Sequence, residues 1–261
     1  MNSILDYLKQ YWNSNTFRPL QREVITHYLE GKDTILLMPT GGGKSLCYQL
    51  PSLVRGGQTL VISPLISLMQ DQVNQLNDRG IKSMIFESHR GKNDIYRQLE
   101  NARNGNFKIL YCSPERLINK EFISQLERLP IKGIAIDEAH CISEWGFDFR
   151  PAFRSIKNLK PLFTKVPFIA VTATATPKVL EDISKELNLI NPKVFKNSFE
   201  RKNINYQVRY TGDKIGALKK ILTQPKASVI IYCRSRSKTE SIVQQIQRWG
   251  IKASFYHGGL E

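Results

Sequence analysis

The sequence predicts an α/β protein built on a parallel sheet with helices against it. Three observations carry that prediction. Short β-branched or apolar runs recur along the first 170 residues, and most are followed by a longer helix-like stretch. The runs are apolar throughout rather than alternating, as strands covered on both faces are. The chain of 261 residues is 41% apolar and 23% charged, a globular balance.

The elements follow in order. A strand at 34–38 precedes a helix starting near Gly43, and one at 59–62 precedes a helix over 65–79. The run 82–86 leads into a helix over 94–104, and 107–111 into one over 121–128. Strands at 133–136 and 168–171 complete the first set. Strands alternating with helices require right-handed crossovers. The pattern pauses near 190–210 and then restarts, with a strand at 228–232, a helix over 238–249 and a strand at 253–256. The expected organisation is therefore a first domain over 1–197, a linker over 198–205 and the incomplete start of a second domain over 206–261.

Residues 38–45, Met-Pro-Thr-Gly-Gly-Gly-Lys-Ser, sit between a strand and a helix. Glycines there let backbone N–H groups converge on phosphate oxygens, and the helix N-terminus adds its positive end. Thr40, Gly41, Gly42, Gly43, Lys44 and Ser45 are the candidate phosphate ligands, with Lys44 directed at the β/γ-phosphates and Ser45 at Mg²⁺. Asp137 and Glu138 end an apolar strand, the edge that faces the ligand crevice in a parallel sheet. Asp137 is the candidate for Mg²⁺, and Glu138 for orienting and deprotonating the attacking water. The expected cofactors are ATP and Mg²⁺.

Charge points to a polyanionic partner. Lys and Arg number 38 against 23 Asp and Glu, a net charge of +15. Residues 1–200 hold 26 basic and 20 acidic side chains, whereas 201–261 hold 12 and 3. No run approaches the ~18 apolar residues of a membrane span. The N-terminus lacks the pattern of a secretion signal. Cys47, Cys112, Cys141 and Cys233 show no CxxC spacing, so reduced, mostly buried thiols are expected.

With these motifs in place, residues 17–261 resemble the helicase core of a RecQ-family DNA helicase with a DEAH box. Residues 17–21, Phe-Arg-Pro-Leu-Gln, resemble the adenine-recognition motif, which assigns Arg18 and Gln21 to the nucleotide; Gln can pair with both N6 and N7 of adenine. Residues 62–72 and 111–117 resemble DNA-facing motifs, making Ser63, Ser113 and Arg116 candidate phosphate contacts. Residues 137–140 are the DEAH box, with His140 in the catalytic group. Residues 171–176 resemble the motif linking hydrolysis to strand separation. Residues 141–153 resemble the aromatic-rich loop of the family: Trp145, Phe147 and Phe149 offer stacking faces to unpaired bases and Arg150 offers charge. Phe153, at an expected helix start, reads as core.

The resemblance implies two RecA-like lobes, the second truncated. It also implies ATP-driven 3′–5′ translocation on single-stranded DNA, duplex-junction substrates, a role in recombination and repair, a monomer, and a cytoplasmic, nucleoid-associated or nuclear location. An RNA helicase, or a nucleotide- and nucleic-acid-binding fragment with little turnover, are the alternatives. Three positions depart from the family pattern. Phe147 replaces a His, Lys202 replaces a Pro in the linker, and Ser14 replaces an aromatic, so base stacking is either weaker or supplied by Trp12. No arginine-bearing QxxGRxxR-like segment occurs, so the chain is expected to be the N-terminal part of a longer protein.

Overall fold

The computed structural model describes residues 3–86, 92–146, 148–198, 203–223 and 228–260. The chain divides into two units, Met1–Glu200 and Arg201–Glu261.

In the first unit, the described residues form a seven-stranded sheet, wholly parallel, in the order β3-β4-β2-β5-β6-β1-β7. The strands are β1 (Thr34–Leu37), β2 (Gln58–Ile62), β3 (Ser83–Phe86), β4 (Ile109–Cys112), β5 (Ile131–Ile136), β6 (Phe168–Thr172) and β7 (Lys193–Lys196). The helices are α1 (Ile4–Trp12), α2 (Gln21–Leu29), α3 (Leu46–Val54), α4 (Ile66–Asp78), α5 (Lys92–Asn104), α6 (Lys120–Leu126) and α7 (Pro177–Glu186). Six of these strands and α3 to α6 stand where the apolar runs place them. β7 was not expected: after Pro192 only Phe195 of its four side chains is buried, so it reads as loop.

Alternate residues of each central strand enter opposite cores. Ile35, Leu37, Leu60, Ile62, Ile134 and Ile136 pack with α5, α6 and α7, while Leu36, Val61, Ala135 and Ile169 pack with α1 to α4. That double coverage is why the strands read as unbroken apolar runs. Beneath the other end of the sheet, Asp33 and Lys160 form a buried ion pair at 2.6 and 2.8 Å. Asp33 also accepts from the Phe168 and Ile190 backbone N–H groups, at 2.9 and 2.7 Å. One carboxylate thus ties the starts of β1 and β6 and the approach to β7.

The second unit contains α8 (Lys214–Leu222) and α9 (Arg236–Arg248), capped by the Asp213 and Ser235 side chains. The strands expected at 228–232 and 253–256 are not formed: the chain there carries no ladder hydrogen bonds. Strands need partners, and here Ile230, Tyr232 and Tyr256 remain exposed, with only Val243 and Ile246 buried among the described apolar side chains of this unit. His257 is satisfied locally by Glu240 at 2.9 Å.

Candidate active site

Backbone pairing carries the chain past the strand ends in register. Met38 N–H donates to Thr172 O, Asp137 N–H to Ile62 O and Ser63 N–H to Cys112 O, at 2.8 to 3.1 Å. The segments following β1, β2, β4, β5 and β6 therefore share one sheet edge. This is the C-terminal edge, where α/β folds place ligands.

The loop after β1 needs its glycines. Gly41 and Gly43 have φ of +79° and +86°, a region that side chains disfavour. A Cβ on Gly42 would lie 2.5 Å from Met38 Cγ. Met38, at the first loop position, is fully buried and packs with the α1–α4 core. Lys44 Nζ donates to Met38 O at 3.2 Å, and its charge acts on both Asp137 and Glu138. Ser45 is the residue preceding α3.

Arg18 and Gln21 fold onto this loop. Gln21 Oε1 accepts from Arg18 N at 2.8 Å, Gln21 Nε2 donates to Gly43 O at 3.1 Å, and the Arg18 guanidinium donates to Gly41 O. With Gly43 and Ser45 they line a pocket of about 420 Å³. Trp12 also lines it, as do Gln49 of α3 and Gln72, Gln75 and Arg79 from the α4 side. Gln49, Gln75 and Arg79 escaped sequence reading because no motif marks them; Gln72 ends the motif at 62–72, but tertiary contact alone brings it to this wall.

The two adjacent acids have opposite environments. Asp137 is buried, and desolvation with the neighbouring Glu138 charge pushes its carboxyl up to about 6. Glu138 turns into the left-handed region at φ +48°. Its carboxylate lies 3.3 Å from His140 Nδ1, and this contact holds it below its usual range. His140 Nδ1 also lies 2.9 Å from Thr172 Oγ1, which accepts from Thr174 N–H at 3.2 Å. His140 thus joins the acids to the segment after β6. The donor set fits ATP with Mg²⁺: a glycine cradle open to phosphate, a lysine held in the loop by one carbonyl, and hard oxygen donors on Ser45 and Asp137. Among the described residues no cluster of three His, Cys, Asp or Glu could hold a metal. Magnesium commonly takes only one or two protein carboxylates, leaving its other positions to phosphate and water.

The aromatic-rich loop follows directly. Trp145 is 74% exposed. Arg150 grips Asp148 at 2.9 and 3.0 Å and reaches Pro64 O, after β2, at 3.0 Å. Phe149 is half-buried beneath the Arg154 guanidinium. Phe153 is fully buried in the core. Phe147 lies outside the described residues. Ser63, Ser113 and Arg116 share the same edge, but their side chains are not displayed as a surface: they are 1%, 4% and 6% exposed. Arg116 stacks on Phe122, and its Nε and Nη2 are buried without partners.

A parallel sheet with a glycine-lysine-serine loop and an acidic pair at its C-terminal edge defines a P-loop nucleotide-binding lobe of the RecA-like class. The chain belongs to the DEAD/DEAH box helicase family, whose sequence pattern matches residues 18–183. It is 43% identical over 258 residues to the ATP-dependent DNA helicase RecQ of Pasteurella multocida, covering 98% of this chain and 41% of that protein. The RecQ protein of Haemophilus influenzae is 42% identical, with 98% and 42% covered. The chain thus spans about two-fifths of these curated relatives. The crystal structure of the DUF1998 helicase MrfA bound to DNA superposes with a TM-score of 0.70 at 20% identity, over 94% of this chain and 38% of that one; that likeness concerns the fold.

Proposed function

We propose that this chain is the ATP-binding part of an ATP-dependent DNA helicase that moves 3′ to 5′ on single-stranded DNA in recombination and repair. The observation that carries the reading is the sharing of one sheet edge by the phosphate loop, the Asp137–Glu138 pair and the exposed Trp145. The names of the relatives supply the DNA specificity.

In this reading the loop N–H groups, Thr40 and Lys44 hold the phosphates, and Arg18, Gln21 and Trp12 surround the base. Ser45 and Asp137 would hold Mg²⁺, which neutralises phosphate charge when bound. Glu138 orients the attacking water, and His140 fixes the Glu138 carboxylate against Thr172. Trp145 and Phe149 stack on bases. Arg150 holds the aromatic loop to the segment after β2. The buried Arg116 nitrogens suit an anionic partner, because an unpaired buried cation is unfavourable. Duplex junctions as the preferred substrate, a monomeric state and a nucleoid or nuclear location complete the proposal. No helix among the described residues is long and apolar enough to cross a membrane.

The test is ATP turnover of the chain with single-stranded DNA, with single-stranded RNA and alone, beside Lys44→Ala. Stimulation by DNA that vanishes in Lys44→Ala is the expected result. Equal stimulation by RNA would overturn the DNA assignment. Nucleotide binding with turnover equal to that of Lys44→Ala would reduce the chain to a binding unit.

A further inference from the structure

Gln49 is a buried amide that the phosphate chemistry does not use. It lies one turn into α3, four residues beyond Ser45, and its backbone N–H donates to Ser45 O at 3.0 Å. Its side chain is 4% exposed and lines the nucleotide pocket beside Gly43 and Ser45. A Gln amide nitrogen carries two protons, and both are committed. Nε2 donates to Gln72 Oε1 on α4 at 2.7 Å and to the Tyr111 hydroxyl on β4 at 3.2 Å.

Tyr111 is itself buried, and burial pushes its phenol well above the ordinary range, so it stays a neutral hydroxyl. It stands two residues before Ser113 and five before Arg116. One nitrogen therefore joins the first turns of the phosphate-loop helix to α4 and to the end of β4.

We propose that Gln49 is a positioning residue that transmits occupancy of the nucleotide pocket to the β4 end carrying Ser113 and Arg116. The inference rests on the nucleotide and DNA reading above. A hydrophobic side chain of similar volume would fill the space, but it would leave Gln72 Oε1 and the Tyr111 oxygen without their donor. The Tyr111 bond is buried, where such bonds are strong and directional and breaking one partner is costly, whereas Gln72 is half-buried at the pocket wall. A shift of the first turn of α3 as phosphate binds must therefore move Tyr111 or strain these two bonds. Just beyond Tyr111 lies Arg116, with two uncommitted guanidinium nitrogens.

The test measures binding of a fluorescein-labelled oligo(dT) to the 261-residue chain, with and without saturating magnesium AMP-PNP. The ratio of the two affinities is the coupling factor, expected in the range of roughly 5- to 150-fold typical of linked sites. Gln49→Met, Tyr111→Phe and the double variant are compared, with AMP-PNP affinity and thermal melts measured separately. Each single variant should bring the factor close to one, and the double should go no further, because the two groups act through one bond. A purely structural role would lower the melting temperature and leave the factor intact. A wild-type factor of one overturns the inference, and so do folded variants that keep the wild-type factor. If Gln49→Met does not fold, Tyr111→Phe, which removes a single oxygen, decides. A chain that binds neither probe refutes the functional reading itself, and this inference with it.

Discussion

Asp137 should be a stability burden in the nucleotide-free chain, and replacing it with asparagine should reveal by how much. Its carboxyl is pushed from 3.8 up to about 6, burial being the largest cause. A shift of two units at 1.36 kcal/mol each places about 3 kcal/mol against the ionised form at pH 8. Asparagine has the same shape, carries no charge, and keeps an oxygen for the Glu138 N–H that Asp137 Oδ1 now accepts at 3.0 Å. Between the unfolded and folded values the folded state binds more protons, so wild-type stability falls as pH rises from about 4 to about 6 and then stays level. Asp137→Asn should therefore be more stable than wild type by up to about 3 kcal/mol at pH 8. The advantage should be roughly halved at pH 5 and nearly absent at pH 4. Urea denaturation followed by circular dichroism, in EDTA, measures it. With magnesium nucleotide the order should reverse, because the cation needs the carboxylate. An asparagine variant no more stable at pH 8, or an advantage that does not change with pH, would refute the reasoning.

Three further outcomes follow. Lys160→Met leaves Asp33 buried without its cation and should destabilise the first unit by about 3–5 kcal/mol in chemical denaturation; a change below 1 kcal/mol would mean that the backbone donors alone satisfy the carboxylate. Trp145→Ala should leave the melting temperature unchanged while weakening oligo(dT) binding by about 1–3 kcal/mol, whereas Phe153→Ala should cost about 3–5 kcal/mol of stability. Binding of oligo(dT) should fall steeply with salt, on a log–log slope near −0.7 for each phosphate neutralised; a flat response would remove Arg116 and its neighbours as phosphate contacts.

Much of the first unit was legible because burial on both faces writes a strand as an unbroken apolar run. Residues 59–62 illustrate this: Leu60 and Ile62 enter one core and Val61 the other. β7 was illegible for the converse reason. It forms on an edge, with three of its four side chains exposed, and it exists because β1 offers a free ladder. The runs 228–232 and 253–256 have strand composition without strand structure, because composition sets a preference and only a neighbouring strand satisfies the backbone.

The site divides in the same way. The shared position of Lys44, Ser45, Asp137 and Glu138 at one sheet edge was legible, because the proposed phosphate chemistry demands particular groups at fixed offsets from a strand end. Gln21 was legible as a residue but not as a contact: its amide is held by Arg18 N and Gly43 O, so a base that reads it must share or displace those bonds. Gln72 and Tyr111 fall within the motifs at 62–72 and 111–117, but Gln49 and its bonds to them were not legible. They meet across 23 and 62 residues of sequence, and an isolated glutamine on a helix has the same local signature whether it faces water or two side-chain acceptors. Sequence motifs thus record the groups proposed to touch the phosphates. The bonds among groups such as Gln49, Gln72 and Tyr111 are recorded only by the packing, which is why the coupling measurement on Gln49 and Tyr111 probes a pairing that no motif in this chain encodes.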